Sequence, residues 1–123
     1  MGEGKRSERV ADLIRKEISE MLMRSIKDPR IGFVTITRVS VTEDCRSAKI
    51  YYSVMGTAAE REESLKGLTS ATGYIRKELG RLVSLRYTPE IVFQFDPSIE
   101  YAIHIEEVIQ HLREEREKDG DAD

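Results

Sequence analysis

Between Leu65 and Leu82 the residues Leu65, Leu68, Thr72, Ile75, Leu79 and Leu82 recur in alternating steps of three and four. That spacing predicts one long amphipathic helix over roughly residues 59–84, around which the remaining elements are arranged. Gly73 falls midway along it, and a mid-helix glycine costs about 1 kcal/mol relative to alanine. Thr69, Ser70 and Thr72 crowd further weak helix formers around it, so the sequence predicts a kink that interrupts the helix at Ala71-Thr72-Gly73. The alternative is a straight helix in which Gly73 admits a closely packed neighbour. Beside the bend Lys66, Arg76, Lys77, Arg81 and Arg86 face a single acid, Glu78. Such a surplus is the local signature of a surface that meets phosphate.

The net charge of −3 hides a segregation of sign. Residues 1–89 hold 17 Lys/Arg against 12 Asp/Glu, whereas residues 90–123 hold 3 against 11. A basic working face and an acidic end are expected. With 123 residues and one cysteine, Cys45, the chain can bury a single core and form no internal disulfide. No apolar run reaches the roughly 20 residues of a membrane span, and Met1 to Arg6 is charged with no apolar region behind it. A soluble, unprocessed, cytoplasmic monomer is expected.

The first apolar stripe, Val10, Leu13, Ile14, Ile18, Met21, Leu22 and Ile26, predicts a helix capped by Ser7 and ended by Asp28-Pro29. The β-branched run from Phe33 to Thr42 predicts a strand. Val34 and Ile36 share one parity and Val39 and Val41 the other, so a bulge near Thr37-Arg38 is needed to put all four on one face. Ala48, Ile50, Tyr52 and Val54 alternate as a second strand, making a hairpin. Ile91, Phe93 and Phe95 mark a third strand, and Asp96-Pro97-Ser98 starts a last helix with Ala102, Ile105, Ile109 and Leu112 on one stripe. The order α-β-β-α(kinked)-β-α is that of an α+β domain with its helices on one face of a three-stranded sheet. Residues 1–112 form that domain, and 113–123 are expected to be an acidic, disordered tail.

No catalytic constellation emerges. His104 and His111 lie on one helix face but about 10 Å apart at 1.5 Å per residue, too far to share a metal without other ligands. Cys45 sits in a polar turn with no base assignable to it. Gly73 and Gly80 do not make a phosphate loop. Asp28, Asp44 and Asp96 fall at turns, where aspartate serves the backbone. No metal and no cofactor is expected.

A helix-bend-helix after a hairpin is where KH domains carry a GxxG loop that clamps the nucleic-acid backbone. Ser70-Ala71-Thr72-Gly73 stands in that place. Several ordered stretches point to one family: Arg6 to Val10, Asp28 to Gly32, Val34 to Thr37, Ala48 to Val54, Ala71 to Arg76, Leu85-Arg86 with Pro89-Glu90, and Asp96 to Ile105. Over residues 6–112 the chain resembles the ribosome-binding factor A family of bacterial small-subunit assembly factors. The resemblance implies a type II KH-like fold in which Ala71-Thr72-Gly73 replaces GxxG. It also implies a non-enzymatic protein that binds the 30S subunit, chiefly 16S rRNA near the 5′-terminal helix, during late maturation and growth in the cold, with other assembly factors as further partners.

Two functions stay open. In one, Lys5, Arg6, Arg9, Arg30, Lys66, Arg76, Lys77, Arg81 and Arg86 contact rRNA phosphates. In the other, the domain is a protein-interaction module working through its acidic last helix. The first requires those bases on one continuous face; the second does not.

Overall fold

The computed structural model describes residues 2–121, with side chains at 6–98 and 102–117. Its elements are α1 (Gly2–Arg24), β1 (Val34–Val41), β2 (Ser47–Val54), α2 (Ala58–Leu82), β3 (Glu90–Phe95) and α3 (Ser98–Asp121), in the predicted order. α1 buries Ser7, Val10, Ile14, Ile18 and Met21, again in steps of three and four. Ser7 is therefore a core-side residue and not the expected cap, because the helix starts at Gly2.

The sheet order is β1-β2-β3, with β1 antiparallel and β3 parallel to β2. Ile36 pairs with Tyr52 and Arg38 with Tyr51, leaving Thr37 as the extra residue of a bulge. The bulge corrects the parity: Ile36 is buried, and Val34, Val39 and Val41 pack against the core. Ile50 and Tyr52 are buried in β2, and the Tyr52 ring meets Phe93 and Phe95 edge-on with centroids 6.2 and 5.9 Å away.

Thr57 caps α2 through a reciprocal capping box with Glu60, whose amide donates to the threonine hydroxyl at 3.2 Å. The predicted interruption is absent, since α2 is one continuous α-helix of 25 residues. Thr72 keeps its hydroxyl within the helix by donating to Leu68 O at 3.3 Å. Leu68, Ile75 and Leu79, all fully buried, anchor the helix on both sides of Gly73. The buried stripe is Ser64, Gly67, Leu68, Ile75 and Leu79, with Ala71 half-buried; Leu65 and Leu82, assigned to it from spacing, are 39% and 47% exposed. Gly67, not Gly73, is the closely packed glycine: a Cβ there would lie 2.6 Å from Ile31 Cγ1, whereas one at Gly73 would meet nothing within 4 Å.

Among the described residues α1 and α2 cover the sheet, and the core draws on α1, β1, Cys45, β2, α2, Val83 and β3 but on no described residue of α3. Three strands about 4.8 Å apart leave room for two helices packed 8–10 Å from each other. α3 is accordingly not the third covering helix expected from its stripe, and every described side chain from Ala102 to Glu117 is exposed. It also continues to Asp121, as regular helix where an unstructured tail is expected. Good helix formers and i,i+4 contacts support it, Gln110 with Glu114 at 3.3 Å and His111 with Glu115 at 3.1 Å.

Asp96 ties the root of α3 to the sheet. Its amide donates to Tyr52 O at 2.7 Å, and its carboxylate accepts the Thr37 hydroxyl at 2.7 Å and the Ser98 amide at 2.9 Å. The bulge thus aims Thr37 at the start of α3. Hydrogen bonds from Ser98 and Thr37 lower the Asp96 carboxyl to about 2. Because the folded value lies below the unfolded one, this carboxylate contributes stability that is complete above about pH 5 and is lost as pH falls toward 2. Asp96→Asn is expected to be destabilising at neutral pH, with the gap to wild type closing across that window. Urea midpoints measured along the pH series check this, and a gap that stays constant denies the linkage.

Candidate nucleic-acid interface

The nine bases proposed from sequence do not share one setting. Arg76 is a brace: its Nε donates to Pro89 O at 3.1 Å and its Nη2 to Thr88 O at 3.3 Å, fixing α2 to the chain entering β3. Arg81 is paired with Glu78 at 2.8 Å, Lys66 with Glu63 at 3.4 Å, and Arg30 with Asp28 at 2.7 Å. Arg6, Arg9, Lys77 and Arg86 make no ion pair among the described residues. Lys5 falls outside the described side chains. The Arg76 contacts join parts of the chain that no local pattern connects. Arg76→Ala is expected to cost roughly 1 kcal/mol of stability, measured by urea unfolding, where Lys77→Ala should change it by less than about 0.5 kcal/mol.

Two surfaces gather most of these bases, and Arg9, exposed on α1, lines neither. On the solvent face of α2, Lys66, Ser70, Gly73 and Lys77 follow one another at helical spacing, opposite Leu68, Ile75 and Leu79. Arg30 joins the Lys66 end in a shallow hollow shared with Glu62, Leu65, Thr69 and Ser70. Of the Ala71-Thr72-Gly73 segment only Gly73 lies on this stripe, where its missing Cβ leaves the helix surface open, while Ala71 packs against the core.

The second surface is a cleft of about 220 Å3 lined by Arg6, Asp44, Cys45, Arg46, Leu85, Arg86 and Tyr87. It lies where the start of α1, the β1-β2 turn and the loop before β3 converge. The three turn aspartates do serve the backbone: Asp28, Asp44 and Asp96 each accept the amide two residues on. In the cleft Asp44 also accepts the Thr42 hydroxyl at 2.7 Å, and these bonds hold its carboxyl below the usual range. Cys45, buried with φ 59°, takes the left-handed conformation that swings the chain into Arg46. Arg46 O then accepts the Glu90 amide at 2.8 Å, which pins the turn to β3. Of this cluster, Arg6 and Arg86 are predicted from sequence; Arg46 and Tyr87 are not, since only the sheet pairing brings them together.

The ribosome-binding factor A family model matches residues 6–109. The chain belongs to the ribosome-binding factor A family. A ribosome-binding factor A from Halothermothrix orenii is 47% identical over 114 residues, 93% of each chain. A solution structure of a Thermotoga maritima protein described as a ribosome-binding factor A is 35% identical, with TM-score 0.65 over 72% of this chain and 85% of that one. A homology model of the Thermus thermophilus ribosome-binding factor A, fitted into a cryo-EM map of its 30S complex, shares the fold. It has TM-score 0.59 and 21% identity over 71% of this chain and 91% of that one. In this member of the ribosome-binding factor A family, Ala71-Thr72-Gly73 lies within unbroken helix. Among the described residues no group of three or more His, Cys, Asp or Glu could hold a metal ion, and no helix is long and apolar enough to cross a membrane.

Proposed function

We propose that this protein is an assembly factor of the small ribosomal subunit that binds 30S through the phosphates of 16S rRNA, acting by binding and not by catalysis. The reading is carried by membership of this family, with two basic surfaces, the Lys66–Lys77 stripe of α2 and the Arg6-Arg46-Arg86 cleft, in place of the one continuous face expected from sequence. The Thermus relative's 30S complex supports the choice of partner. Recognition is by shape and phosphate, since no GxxG loop is present to splay single bases along α2. The resemblance carries the proposal further, to the 5′-terminal helix, late maturation and growth in the cold. The working domain is residues 1–112, acting as a monomer in the cytoplasm, and the acidic stretch after it is dispensable for rRNA contact.

Co-sedimentation with purified 30S subunits across a potassium series tests this. Binding should weaken steeply with salt, because each phosphate contact releases condensed counterions. Neutralising Glu114, Glu115 and Glu117 should leave it intact or slightly stronger. A second reading, a protein-interaction module working through α3, draws on the exposure of Ile105, Ile109 and Leu112. Loss of binding on changing α3, with retention when the basic surfaces are reversed, would favour that reading.

A further inference from the structure

We infer that the cleft between α1, the β1-β2 turn and the loop before β3 is a site for one unstacked RNA base on Tyr87, its flanking phosphates held by Arg6, Arg46 and Arg86. The inference rests on the rRNA-binding reading and adds a single-stranded element to it. Tyr87 is 50% exposed although it lies in a loop fixed at its far end by Arg76, through Thr88 O and Pro89 O. Arg46 stands over its ring at 4.8 Å from the centroid and Arg86 at 5.6 Å. The ring is half-exposed with guanidinium groups standing over it, so an entering base takes the face from a guanidinium that turns to the adjoining phosphate. This is the division by which single strands are bound, aromatic faces taking bases and cations taking the backbone. The cleft is about 220 Å3, below the roughly 300–1,000 Å3 of a pocket for a drug-sized ligand and suited to one planar ring. Three arginines against the single carboxylate of Asp44, already engaged by Thr42 and the Arg46 amide, leave it cationic. A paired base cannot use such a site, because its faces are covered within the stack.

The test uses the full chain and a short single-stranded RNA carrying one 2-aminopurine, with its fully paired duplex as control. Wild type should bind the single strand more tightly than the duplex and change the 2-aminopurine fluorescence. Tyr87→Ala should weaken single-strand binding roughly 5- to 150-fold, the range of a lost base-aromatic stack, and leave duplex binding unchanged. Tyr87→Phe should stay near wild type, since the ring face is retained, and it also guards against a folding defect in the alanine variant. Equal single-strand affinity for wild type and a folded Tyr87→Ala, or equal affinity of wild type for strand and duplex, overturns the site. If wild type still co-sediments with 30S, only the base site has failed. If wild type does not co-sediment, the rRNA-binding reading fails with it.

Discussion

The triple variant Arg6→Glu, Lys77→Glu, Arg86→Glu is expected to bind 30S on the order of 100-fold more weakly than wild type at about 0.1 M salt. These three side chains form no ion pair among the described residues, so their charge is available to a ligand. Each phosphate contact contributes a slope of about 0.7–0.9 in log affinity against log salt, so removing three should flatten the dependence by about 2–3. Folding should be nearly unaffected, since all three residues are exposed and such changes each alter stability by less than about 0.5 kcal/mol. Arg76 and Arg81, although attractive from sequence, suit this test poorly: the first holds the β3 entry and the second already neutralises Glu78. Co-sedimentation across potassium concentrations, with circular dichroism as the folding control, measures both quantities. An unchanged slope would move the contacts off these residues, toward Arg30 and Lys66.

Where a physical rule acts over a few residues, the chain was readable. The parity conflict between Val34-Ile36 and Val39-Val41 has one economical solution, and Thr37 provides it. Asp28, Asp44 and Asp96 precede amides that their carboxylates can reach, and all three reach them. What stayed hidden depends on contacts between distant segments. Arg76 resembles its basic neighbours on α2 until the loop before β3 folds against it. Arg46 and Tyr87 meet because β3 pairs parallel to β2, placing Glu90 beside the hairpin turn. The apolar stripe of α3 suggested a core helix, but stripe alone does not say whether a layer is left to cover, and two helices fill this one.

Gly67 and Gly73 are expected to respond differently to alanine, Gly73→Ala stabilising and Gly67→Ala neutral to destabilising, the clearest consequence of where α2 turns its faces. Reading the helix by its large apolar residues placed Gly73 within the stripe. Counting Ser64, Gly67 and Ala71 as the core side instead rotates the buried face and sends Gly73 to solvent. An alanine at Gly73 meets no neighbour, so Gly73→Ala should stabilise the protein by about 1 kcal/mol through the lower backbone entropy of the unfolded chain. At Gly67 the added methyl would sit 2.6 Å from Ile31 Cγ1 and 3.4 Å from Arg30 Cβ. The turn after α1 lies there against the helix, so Ile31 has to move. Overpacking of this kind costs typically 1–3 kcal/mol, outweighing the helix-propensity gain at its upper end and largely cancelling it at its lower end. At about 4–8 °C per kcal/mol for a domain near this size, the two variants should be separated by several degrees in thermal midpoint, with Gly73→Ala the higher. Two equally stabilised variants would mean that Ile31 yields freely. A destabilised Gly73→Ala would mean that the helix needs glycine at the Ala71-Thr72-Gly73 segment after all, for a bend that continuous helical hydrogen bonding conceals.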